Sequence, residues 1–77
     1  MTAADSVAAT FTLGNGALVN VTAHTMIAPF GDFQTVGAVV RALAAHQRVK
    51  AEGFGMLASV GPPKVLNAIG VEFEVNH

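Results

Sequence analysis

The chain contains no cysteine, which excludes a disulfide framework and any zinc site built on thiolates. Charge is scarce as well: 12% of residues are Asp, Glu, Lys or Arg, against an apolar content of 52%. The net charge is -1 and the isoelectric point near 6.2, so no global field draws nucleic acid or an acidic membrane surface. No uncharged apolar run of about 18 residues is present, so no transmembrane helix is predicted. The opening residues, Met1 to Ser6, lack the basic region of a secretory signal. These absences predict a protein of the cytoplasm, or of a particle assembled inside the cell, with no cofactor and no membrane contact.

At 77 residues the chain reads as a single domain, with residues 1–6 expected to be flexible. A chain this short hides only about 60% of its unfolded surface, so its own core is marginal. The usual remedies are disulfides, a structural metal or oligomerisation. With disulfides excluded and so little polar surface, oligomerisation is the expected remedy.

Local patterns predict an α+β fold. Val7 to Leu13 alternates apolar and Thr residues as a strand does, and Gly14-Asn15-Gly16 is a turn signal. A three-residue loop with Gly16 in the left-handed region pairs Phe11 with Val19 and keeps one face apolar. The second strand is expected from Ala17 to Ile27, ended by Pro29. Asp32 to Glu52 then reads as one long helix, with Asp32 as N-cap and Gly53 as the stop. Met56 to Val60 fits a strand or a helical turn equally. Lys64 to Ile69 resembles a short helix behind a proline, and Val71, Phe73 and Val75 alternate with polar residues as a final strand. The expected architecture is a hairpin and C-terminal strand with a long helix packed across them and a short second helix.

Candidate chemistry is sparse. His24, Asp32 and His46 supply the residue types of a His-His-carboxylate metal site or a His-Asp dyad, but no His-x-x-x-His or His-x-Glu spacing accompanies them. Two surface histidines and a helix cap are the preferred reading, since capping already explains Asp32. Ser59 lacks the glycine-flanked elbow of an activated serine. Gly53-Phe54-Gly55 follows the predicted helix instead of opening one, which excludes a dinucleotide-binding loop. Arg41, Arg48 and Lys50 form a basic patch on the predicted helix, but two arginines and a lysine are too few to grip a phosphate backbone, and nucleic acid is not the expected partner.

On the side opposite its core-facing stripe, the predicted helix carries Ala38, Ala42, Ala45 and Val49, a small-residue face that another backbone can approach. Composition and this face together predict a structural or interaction subunit that forms a homo-oligomer or packs into a larger particle such as a shell or virion, and performs no catalysis. The rival readings are a small ligand-binding domain or enzyme using His24, Asp32 and His46, and a weak nucleic-acid binder using Arg41, Arg48 and Lys50.

Overall fold

The computed structural model describes residues 1–76. Six strands and one helix follow in order: β1 (Ala3–Asp5), β2 (Thr10–Thr12), β3 (Leu18–Asn20), β4 (Met26–Ile27), α1 (Val36–Ala44), β5 (Val49–Ser59) and β6 (Val65–Val75). Strand accounts for 45% and helix for 12%, which overturns the α+β expectation. The molecule is a curled sheet holding one short helix.

The sheet is organised on β6. On one side β6 pairs in parallel with β3, through Leu18 to Val65, and further along with β4, through Met26 to Gly70. On its other side it pairs antiparallel with β5 along nearly its whole length, from Val49 opposite Val75 to Ser59 opposite Val65. β1, β2 and β3 form an antiparallel meander beyond. The helix touches β1 and the start of β5, the two ends of the sheet, so the sheet curls around it.

The helix is less than half as long as expected. Thr35, not Asp32, caps it, with its hydroxyl accepting from the Ala38 N–H at 3.1 Å. At the other end His46 N–H donates to the Leu43 carbonyl and Gln47 N–H to that of Ala42, both at 3.0 Å, with His46 left-handed at φ 62°. This is a Schellman stop at His46, seven residues before Gly53. The apolar spacing beyond it suits a helix, but the same residues gain more from pairing with β6, where Val49 and Ala51 turn inward. Asp32 serves elsewhere: its N–H donates to the Phe73 carbonyl and its carboxylate accepts from Val75 N–H at 2.8 Å.

The second predicted helix, Lys64 to Ile69, is the first half of β6. A six-residue helix there would leave one side of β3 and the outer half of β5 unpaired. Met56 to Ser59 is strand, continuing β5. The strand expected over Ala17 to Ile27 is broken: six residues from Asn20 to Met26 span only three along β6. The excess forms a turn in which Thr25 N–H donates to the Thr22 carbonyl, while the Thr25 hydroxyl donates to the Ala68 carbonyl at 2.6 Å. The strand expected over Val7 to Leu13 keeps only Thr10–Thr12. Asp5 accepts from the N–H groups of Val7 and Ala8, folding residues 6–9 into a turn, and the Ala3–Asp5 segment expected to be flexible pairs with β2.

The core joins the concave face of the sheet to one side of the helix. Phe73 and Val39 are fully buried, with Phe11, Val19, Val36, Ala42, Val49, Ala68 and Val71 around them. The Phe11 and Phe73 rings meet edge to face, centroids 5.3 Å apart, a favourable aromatic geometry. No buried side-chain polar atom among the described residues lacks a partner.

The hairpin has the expected register: Phe11 faces Val19, and Gly16 lies at φ 88°. Its N–H donates to the Leu13 carbonyl and Leu13 N–H to that of Ala17, closing a three-residue loop. Gly16→Ala is expected to lower stability by about 1 kcal/mol, and Gly14→Ala, in open space at an ordinary φ, by much less. Chemical denaturation of the two variants checks this; equal midpoints would remove the left-handed requirement.

Candidate functional site

From Glu52 onward β5 is exposed at every residue, and exposure continues through Lys64. Yet the sequence there is apolar. Phe54 is 69% exposed, Met56 68%, Leu57 51% and Val60 77%, with Ile69 on β6 at 45%. The β5–β6 hairpin leaves the helix behind after Ala51, so its outer half has no layer packed on it. It is an arm with an apolar surface.

Two glycines let the arm form. A Cβ on Gly53 would run into the Gly70 carbonyl oxygen, and one on Gly55 into that of Asn67. Only residues without a side chain fit so close to β6. Register shifts at Phe54/Gly55 and Leu57/Ser59 bend the arm here, as bulges do. Phe54, opposite Gly70, lays its ring over the glycine, its Cε1 3.2 Å from where a Cβ would stand.

Each face of the arm borders a cleft. On the concave side a cleft of about 330 Å³ is lined by Phe11, Leu13, Val19, Leu66, Ala68 and the backbone at Gly53 and Gly55. On the outer side a shallower groove of about 530 Å³ runs between Met26, Phe30, Phe54 and Ile69, with His24, Glu52 and Glu72 at its margin. Met26 and Phe30 are 74% and 79% exposed. Below the groove the outer face turns charged: the Lys50 ammonium lies 3.4 Å from Glu74 and 3.6 Å from Glu52. The hydrogen bond to Glu74, then the charges of Glu52 and Glu74, raise the Lys50 pKa above its usual value. This exposed cluster contributes little to stability, but it marks where the apolar surface ends.

Comparison with protein-family models, curated proteins and solved structures gives no match to this chain. The chemistry has to be read from the residues themselves.

The expected sites disperse. His24 sits in the Thr22–Thr25 turn at the edge of the outer groove. Asp32 is bound to the β6 backbone and His46 ends the helix. No group of three His, Cys, Asp or Glu side chains suited to a metal occurs among the described residues. Arg41 is exposed on the helix, Arg48 in the following loop and Lys50 within its carboxylate cluster, so the three share no helical stripe. The small-residue face also divides: Ala42 and Val49 are in the domain's own core, Ala38 is half-buried and Ala45 exposed. The residues missed are Phe54, Met56, Leu57, Val60 and Ile69. For Phe54 and Met56 the signal was their alternation with Gly53 and Gly55, a period of two that begins where the predicted helix stops.

Replacing His24 by Gln and His46 by Asn, which tolerates the left-handed backbone, is expected to leave the melting temperature unchanged with or without zinc. A zinc-dependent rise in the wild type that the double variant loses would restore the metal reading.

Proposed function

We propose that this protein is a small assembly subunit that self-associates through the β5–β6 arm and has no catalysis of its own. The observation that carries this is the exposure of the apolar residues Phe54, Met56, Leu57, Val60 and Ile69 on the arm, with Phe54 and Ile69 sharing the outer groove with Met26 and Phe30. At about 200 Å² for a fully exposed large apolar residue, these seven expose on the order of 900 Å². A standard interface takes about 800 Å² from each partner.

The surface area as a whole points the same way. The accessible surface is 4796 Å², against about 4,400 Å² for a folded monomer of this mass. The arm is the part that projects without cover. A free edge strand with apolar neighbours invites uncontrolled pairing unless its partner is supplied, and β5 carries no proline and, past Glu52, no charge through Val60.

Changing Phe54, Met56 and Leu57 together to Ser tests the reading by sedimentation. The wild type is expected to exceed the 7.9 kDa of one chain at micromolar concentration. The triple variant is expected to sediment as that single chain with its circular dichroism retained, because these side chains lie outside the core. A wild type that sediments as one chain would overturn the proposal.

A further inference from the structure

We propose that the partner at this surface is a second copy of the chain, joined through an antiparallel β5–β5 pairing with its two-fold axis at Gly55, so that one sheet runs through both copies. This rests on the assembly reading above and adds its partner and its register.

The free side of β5 has a defined hydrogen-bonding pattern. Asn76 N–H donates to the Arg48 carbonyl at 2.9 Å, and Lys50, Glu52 and Phe54 continue from Arg48 at every second position, opposite Glu74, Glu72 and Gly70. In an antiparallel ladder these residues turn N–H and C=O toward β6, while Val49, Ala51 and Gly53 turn theirs outward. Past the register shift, Leu18 N–H takes the Lys64 carbonyl at 2.8 Å, so Lys64 and Leu66 face β3 and Val65 and Asn67 face β5. Met56, opposite Asn67, therefore bonds to β6, and Gly55 and Leu57 bond outward. Ala51, Gly53, Gly55 and Leu57 thus present a row of donors and acceptors with no partner strand among the described residues. Such a row is a template for another strand.

The side chains select the register. An axis at Glu52 would set Glu52 against its own copy, two carboxylates directly opposed. Axes at Gly53 and Phe54 would set Glu52 against Phe54 and Met56 of the second copy. An axis at Ala51 would match Lys50 with Glu52, but it would carry Met56 and Leu57 past the end of the other strand and leave them uncovered. With the axis at Gly55, Phe54 of each copy faces Met56 of the other on the outer face, beside the groove of Met26 and Ile69. On the concave face Leu57 of each copy lies opposite Gly53 of the other, where no side chain competes for the space. Glu52 then lies opposite Ala58 of the other copy, a small side chain, and Lys50 opposite Val60, past the end of the strand, so the charged cluster of Lys50, Glu52 and Glu74 flanks the apolar centre. The seven exposed apolar residues together expose about the area one partner contributes to a standard interface.

Cysteine pairing tests partner and register together, and the chain's lack of cysteine gives a clean background. In this register residues 54 and 56 of opposite copies form a pair without mutual hydrogen bonds, the closer of the two antiparallel geometries and within reach of a disulfide. Under oxidising conditions an equimolar mixture of Phe54→Cys and Met56→Cys chains is expected to give a covalent dimer, and neither variant alone is expected to do so. A disulfide within the Phe54→Cys preparation would place the axis at Phe54, and one within Met56→Cys would place it at Met56; either overturns the register proposed. Should a cysteine variant fail to fold, Leu57→Lys carries the test: it is expected to weaken association at least tenfold by sedimentation, and an unchanged mass would overturn the proposal. An oligomeric wild type with no 54–56 disulfide would refute the β5–β5 pairing while leaving self-association standing, whereas a monomeric wild type would remove both.

Discussion

Backbone pairing on both sides of β6 is the constraint on which the rest of the structure depends. One strand of 11 residues receives β3 and β4 on one flank and β5 on the other, and its Phe73 is the fully buried centre of the core. The Phe73 carbonyl also accepts from the N–H groups of Asp32 and Phe33, which fixes the chain entering the helix. Because β6 continues past the helix toward Val65, β5 must follow it there to satisfy its own backbone. The arm is the consequence: pairing extends farther than the single short helix can cover.

This geometry leaves part of the sheet without a covering layer. One helix of nine residues buries three side chains, Val36, Val39 and Ala42, against a sheet whose concave face is longer than the helix. The uncovered remainder is the cleft of Leu13, Leu66 and the arm. A second layer from the same chain is absent among the described residues, and self-association through the arm would instead cover the free edge and the side chains beside it. The glycines at 53 and 55 belong to the same logic, since they let β5 run close to β6 and leave an inner surface without side chains.

Some of this was legible in the sequence. Val71, Phe73 and Val75 read as a strand because a period of two is unambiguous over that length, and Phe11 opposite Val19 followed from keeping one face of the hairpin apolar. The helix was located, but its length was not. Residues from Ala45 to Glu52 keep a helical spacing of apolar positions, and what decides against it is pairing with β6, more than 20 residues away in sequence, which no local pattern reports. The same misreading placed Ala42 and Val49 on an outer face when both are core residues. Asp32 and Thr35 are both residue types that cap helices, and composition does not separate them. The apolar excess correctly indicated surface left over after folding, but only the strand assignment of Val49–Ser59 shows where that surface lies.

On the β5–β5 pairing, the outward-facing amides of β5 find a partner only when chains associate. Amide hydrogen exchange, measured residue by residue over a range of protein concentration, tests it most directly. The Glu52 N–H, which bonds to β6, should be protected at every concentration, while those of Gly53, Gly55 and Leu57 should exchange rapidly in dilute protein and become protected as concentration rises. Fast exchange at Gly53, Gly55 and Leu57 in protein already shown to be oligomeric would rule out this pairing.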